Sequence, residues 1–165
     1  MATTVKFPME LLSVQISSAN TFWTAKSGAN IDLSHVAFVD SGEGVAFYWG
    51  YVPNNLAATP AWNLDIGHYV DSSTGGGGAV LSVFARALST NPIDVAPIVV
   101  SSLATIVSNS SYTYSAVTGA NLDAVVAISA TNVVIVKILR HGGVAGDTIS
   151  GTWDLQAVIM RCDIT

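Results

Sequence analysis

The chain is predicted to fold as an all-β protein, an antiparallel β-sandwich or barrel. Three observations predict it. Short runs rich in Val, Ile, Thr and aromatic residues recur along the chain, and clusters of Gly, Pro, Asn and Asp separate them. Within several runs, apolar and small or polar residues alternate with the period of two that belongs to a strand. Nowhere does a long amphipathic pattern call for a helix. About eight to ten strands are expected, and such spacing belongs to sandwiches and barrels.

The opening, residues 5–23, contains Phe7, Leu11, Leu12, Phe22 and Trp23, with Pro8 keeping its start extended. It reads either as a first strand that closes the sandwich or as an arm that lays these side chains on a partner. Residues 31–39 read as a short strand, and Asp40–Gly44 as a turn. In residues 45–52, Val45, Phe47, Trp49 and Tyr51 share one face, with mostly small residues on the other, so the bulky face is expected to be core. Residues 61–70 alternate most clearly: Trp62, Leu64, Ile66, His68 and Val70 oppose Asn63, Asp65, Gly67 and Tyr69, as in a half-buried strand. After the glycines at 75–78, residues 79–88 set Leu81, Val83, Ala85 and Ala87 against Val80, Ser82, Phe84, Arg86 and Leu88. Their length would allow a helix, but the preceding glycines and β-branched residues favour a strand. Residues 98–107, 111–117 and 121–130 supply further strands. The stretch from Asn132 onward contains two strongly apolar runs, 133–139 and 155–160, joined by a Gly-rich loop at 142–148. Both are expected to be buried on two sides in the middle of the sandwich.

Half of the 165 residues are hydrophobic and 10% are charged, against roughly a quarter charged in an ordinary soluble domain. No run reaches the about 18 uninterrupted apolar residues that a transmembrane helix needs, and the first residues lack the pattern of a signal peptide. So few charges therefore point to neighbours that cover the surface, in an oligomer or larger assembly. The net charge of −5 and six scattered Lys and Arg residues argue against nucleic acid. Cys162 is alone, so neither an internal disulfide nor a Cys-based zinc site can form.

No catalytic or metal-binding pattern emerges. His35, His68 and His141 stand far apart, without a His-x-His pair or a helical His-Glu-x-x-His. Asp71, Asp147 and Asp154 lie in Gly-rich surroundings but lack calcium-loop spacing, and they read as turn formers. No Gly-x-Ser-x-Gly elbow anchors a hydrolase triad. Gly75–Gly78 is not followed by the Lys-Ser/Thr of a phosphate loop. Accordingly no catalytic residue, cofactor or metal is expected. Trp49, Tyr51, Trp62 and Tyr69 could form a sugar-stacking platform with Asn63 or Asp65 as polar anchors, though residues in step with Val45, Leu64 and Ile66 fit a core better.

Two segments taken together resemble small jelly-roll structural proteins of tailed-bacteriophage virions. One is Val45-Ala46-Phe47-Tyr48-Trp49 followed by Ala61-Trp62-Asn63-Leu64-Asp65-Ile66. The other is Val134–His141 with Ala145-Gly146-Asp147-Thr148, Gly151 and Asp154–Val158, which resembles the final hairpin of those proteins. His141 departs from that pattern, in which an acidic residue is usual. The resemblance implies a jelly-roll sandwich over residues 31–165, preceded by an arm or first strand over residues 1–30. It further implies a non-enzymatic homotrimer on the capsid exterior, a cement or decoration protein bound to the major capsid protein. Phe7, Leu11, Leu12, Phe22 and Trp23 are then the expected partner-binding residues, attachment being favoured over a core role. The alternative is a glycan- or receptor-binding module of a tail fibre or tailspike.

Overall fold

The structure, a computed structural model, describes residues 3–15, 21–27, 32–40, 42–58, 62–70, 77–88, 98–107, 113–116 and 133–165. The expected strand at 121–130 lies outside them. Eleven strands are described: β1 (Thr3–Pro8), β2 (Glu10–Gln15), β3 (Thr21–Ser27), β4 (Asp32–Phe38), β5 (Gly42–Tyr51), β6 (Asn63–Val70), β7 (Gly78–Leu88), β8 (Ile98–Val107), β9 (Thr113–Ala116), β10 (Val133–Gly142) and β11 (Trp153–Ile164). All pairings are antiparallel. Sheet A runs β3-β4-β11-β6-β9, with β1 also on β11, and sheet B runs β2-β5-β10-β7-β8.

Taking β4 to β11 alone, four strands in the order β4-β11-β6-β9 face four in the order β5-β10-β7-β8. Among these eight described strands, only β7 and β8 follow one another within a sheet. That is a jelly roll, built from double Greek-key crossings. The first three strands extend this framework. β2 joins the edge of sheet B at β5, and β3 joins the edge of sheet A at β4. β11 divides one of its edges, giving Trp153–Leu155 to β4 and Ile159–Ile164 to β1.

β10 and β11 are central in their sheets, yet they do not form a hairpin. β10 pairs with β5 and β7 in sheet B, whereas β11 pairs with β1, β4 and β6 in sheet A. The loop between them passes from one layer to the other. Nor are they buried on two sides. Val134, Val136, Ile138 and Arg140 of β10 point inward, while Val133, Ile135, Lys137 and His141 stay partly exposed. The long apolar runs therefore reflect an outer face that is itself apolar.

The core lies between the sheets. Leu81, Val83 and Ala85 of β7 meet Leu64 and Ile66 of β6, Phe38 of β4, and Trp153, Leu155, Val158 and Met160 of β11. Burying each large side chain stabilises the fold by roughly 1.5–3 kcal/mol. The opening segment contributes to this core. Met9 is buried where the chain leaves β1 for β2, and its N–H donates to Val158 O at 2.8 Å. Phe7 and Leu11 pack against the same cluster.

Among the described residues, Arg140 is the one fully buried cation, with 0% exposure. Its Nε and Nη2 donate to Asp147 Oδ2 and Oδ1 at 2.9 and 2.7 Å. Nη1 donates to the carbonyls of Phe38 (2.7 Å) and Gly151 (3.3 Å), and Nη2 to that of Ile149 (2.9 Å). All five guanidinium hydrogens thus have acceptors, the condition under which a buried arginine is tolerated. Asp147 is correspondingly more than a turn former. A turn closed by Asp147 N–H to Val144 O at 3.0 Å, with Gly146 at φ 103°, delivers its carboxylate inward. There it also accepts from Val80 N–H at 3.3 Å. Gly142 allows the approach, because a Cβ at that position would lie 2.2 Å from Asp40 O.

Replacing Arg140 by Met strands the Asp147 carboxylate and three carbonyls, and is expected to cost about 3–5 kcal/mol in urea unfolding. Arg140→Met combined with Asp147→Asn is expected to cost less than the sum of the two single changes.

His68 supplies a pH dependence. It is buried beside Trp153, whose Nε1–H donates to His68 Nδ1 at 3.2 Å. That bond requires an unprotonated Nδ1, and burial lowers the imidazole pKa from 6.5 to about 4. The unfolded chain therefore takes up the proton first as pH falls. This contribution to stability is complete above pH 6.5 and is lost progressively down to about pH 4. His68→Gln keeps an acceptor but cannot titrate. The urea midpoint of the wild type is expected to fall more steeply than that of the variant across this window.

Candidate functional site

The outer face of sheet B carries the side chains best placed to meet a ligand. Cross-strand partners share a face, so the register lays out successive rows across β5, β10 and β7. They are Tyr51–Val133–Leu88, Trp49–Ile135–Arg86, Phe47–Lys137–Phe84 and Val45–Leu139–Ser82. Glu43 and His141 form the end of the face. On the other side of β5, β2 places Glu10 beside Trp49 and Ser13 beside Phe47.

This reverses the expected sidedness of β5. Tyr48 is in the core at 4% exposure, with burial pushing its phenol pKa upward, while Tyr51 is 65% exposed. Phe47 and Trp49 are half-buried on the outer side. The reason is volume. At Gly50 the inward space is taken by the N-terminal segment, and a Cβ there would already touch Met9 and Phe7 at 3.5–3.7 Å. Tyr48 fits inward on that side, but a bulky side chain at position 50 would collide with Met9 and Phe7, so the strand keeps Gly50 inward and Trp49 and Tyr51 outward. Trp49 and Tyr51 contact edge to face, with centroids 5.1 Å apart and planes at 77°. Lys137 Nζ sits 4.9 Å from the centroid of Phe84.

The other aromatics expected in a platform do not join them. Trp62 is in the core, and Tyr69 lies on the sheet A side, its ring 5.7 Å from that of His35. The expected anchors Asn63 and Asp65 belong to β6, hence to sheet A, away from Trp49 and Tyr51. Asp65 is engaged with Arg161 at 2.9 Å and Lys6 at 3.4 Å, an arrangement that ties β1, β6 and β11 together. Of the expected partner-binding residues, Phe7 and Leu11 face the protein's own core, and Leu12 is 52% exposed at a bulge in β2. The side chains of Phe22 and Trp23 lie outside the described residues.

The histidines remain apart. His35 approaches Asp154 at 3.4 Å on sheet A, His68 is in the core, and His141 is on sheet B. Among the described residues, no three His, Cys, Asp or Glu side chains converge as a metal site would require. His141 lies between Ser82 Oγ (2.8 Å from Nε2) and Glu43 Oε1 (3.2 Å from Nδ1). That order of groups is how hydrolases activate a serine. Here Ser82 is only 5% exposed, which leaves little room for a substrate above its hydroxyl. A bridge holding β5, β10 and β7 together suits the geometry better. Cys162 is buried, and desolvation followed by the Asp163 charge raises its pKa, which keeps the thiol protonated.

If Tyr48 is core and Tyr51 surface, truncation separates them. Tyr48→Ala is expected to cost about 3–5 kcal/mol in urea unfolding, and Tyr51→Ala less than about 1 kcal/mol.

No protein-family model matches the chain, and no curated protein matches it. Among solved structures, similar chains include a family 11 carbohydrate-binding module from Clostridium thermocellum in complex with a β-1,3-1,4-mixed-linked tetrasaccharide (TM-score 0.43, 9% identity, covering 93% of this chain and 95% of that one). Another is TmCBM61 in complex with β-1,4-galactotriose (TM-score 0.41, 6% identity, 95% and 86% covered). A third is a carbohydrate-binding module of the β-sandwich superfamily (TM-score 0.44, 12% identity, 95% and 55% covered). At this distance the likenesses decide nothing about ligand or partner.

Proposed function

We propose that the chain is a non-catalytic glycan-binding module whose ligand lies across the outer face of sheet B. The observation that carries this reading is the solvent-facing series Phe47, Trp49 and Tyr51 on alternate positions of β5. Such positions recur about every 6.6–6.8 Å along a strand. A sugar ring has apolar C–H faces and a rim of hydroxyls, so it needs aromatic surface interleaved with hydrogen-bonding groups. This face offers both: Glu10 next to Trp49, Ser13 next to Phe47, and Lys137 between Phe47 and Phe84. These replace Asn63 and Asp65 as the polar anchors.

A second reading keeps the resemblance to virion proteins: a homotrimer on the capsid exterior, bound to the major capsid protein. The partly exposed pair Val133–Leu88 favours it, because it presents apolar side chains of the kind a subunit contact buries.

Glycan-array screening and titration calorimetry test the first reading, with light scattering to report the oligomeric state. Trp49→Ala and Tyr51→Ala are each expected to weaken binding to an array hit about tenfold, a loss equivalent to about 1.4 kcal/mol. A stable trimer that binds no member of the array would replace the first reading with the second.

A further inference from the structure

Trp49 and Tyr51 meet edge to face, with centroids 5.1 Å apart and planes at 77°. Rings set nearly at right angles cannot both lie under one flat ribbon of sugars, because stacking needs ring planes parallel to the ligand. A sugar stacked on either ring meets the other as an upright side. The pair forms a corner.

That corner stands at the rim of the face. β5 ends at Tyr51, β10 begins at Val133 and β7 ends at Leu88, and these three residues form a single row. Towards the other end, the row Val45–Leu139–Ser82 is buried and gives a ligand almost nothing to touch. What lies open along β5 is the stretch from Phe47 to Tyr51, about 13 Å at roughly 6.6–6.8 Å per alternate residue. A glycan running along the strand therefore has little length to lie on, and it meets the corner where the rows stop. Glu10 is exposed on β2 and is the cross-strand neighbour of Trp49, so it brings a carboxylate to the same place. A carboxylate accepts hydroxyl hydrogens through two oxygens, and such charge-assisted bonds are the stronger kind. A terminal sugar carries a free hydroxyl where an internal one has a glycosidic oxygen with no hydrogen to give. A site that accepts from that hydroxyl discriminates against the residue that lacks it.

Resting on the glycan reading above, we infer that the face binds a glycan by its end. A terminal sugar sits in the Trp49–Tyr51 corner, stacked on one ring, while the other ring closes its path and Glu10 takes its hydroxyl hydrogens. An internal sugar has chain on both sides, and the upright ring obstructs one of them.

The test uses β-1,4-glucan, β-1,3-glucan, β-1,4-mannan and α-1,4-glucan oligosaccharides, short and long. Each is taken free and blocked, with a cyclic acetal at the non-reducing end and a bulky glycoside at the reducing end. Titration calorimetry would give affinity and stoichiometry, and thermal melting would confirm that Tyr51→Ala folds. The wild type is expected to bind free chains about tenfold or more tighter than blocked ones, with one protein per chain whatever its length. In Tyr51→Ala the free-to-blocked ratio should fall towards one, since a chain can then pass over Trp49. Blocked chains that bind the wild type as well as free ones, or several proteins on one long chain, would overturn this inference and leave the glycan reading standing. A ratio unchanged in Tyr51→Ala, or a variant that binds neither form, would overturn the place given to Tyr51 in the corner. The absence of wild-type binding to every member would overturn both readings.

Discussion

The Arg140–Asp147 clamp is the interaction on which one whole end of the sandwich depends. A guanidinium placed between two sheets is costly unless every N–H finds an acceptor. Its acceptors come from the end of β4, from the loop after β10 and from the approach to β11. Asp147 also binds the backbone of β7, and Thr148 exchanges two hydrogen bonds with Gly78. Four strands of both layers are therefore fixed relative to one another through a single side-chain pair. The crossover from β10 to β11 can follow only a narrow path, since its carboxylate and carbonyls must converge on one guanidinium.

From this constraint follows the placing of the outer face of sheet B. With β10 anchored inward at Arg140, the strand's alternation sends Lys137 and His141 outward beside the aromatics of β5. The second constraint is the volume claimed by Met9 and Phe7 over Gly50. An N-terminal segment that crosses from one sheet to the other fills the inward space at Gly50, which leaves the bulk of Trp49 and Tyr51 on the outer side. The face proposed to bind a ligand is in this sense a product of how the core is filled.

The two outer faces differ in chemistry. Sheet A closes its charges on itself, through Asp65 with Lys6 and Arg161, and through Thr4 Oγ1 donating to Asp163 at 2.6 Å. These described polar groups staple strands together. Among the described side chains, sheet B carries the outward-facing aromatics Trp49 and Tyr51 and a lysine whose described contact is the Phe84 ring.

Strand-forming composition, period-two alternation and turn residues were enough to predict an all-β antiparallel sandwich or barrel, and strand pairing into two sheets decided for the sandwich. They also separated the two sides of β6 and β7, although Asp65, Gly67 and Tyr69 are buried as well, so β6 is not the half-buried strand its alternation predicts. They failed at β5, since both of its sides are apolar or small and hydrophobicity cannot rank them. Only the filled space inside Gly50 decides which side is core. Arg140 and Asp147 were visible as a charged residue and a turn aspartate seven positions apart, but nothing local says that they meet between the sheets. The same limit applies to Lys137, a lone charge within an apolar run. Its aromatic neighbours come from strands some fifty and ninety residues away, brought into one row by hydrogen-bond register across β5, β10 and β7. Local propensity acts along the chain, whereas core volume and register act across it, and the candidate site was made by the latter.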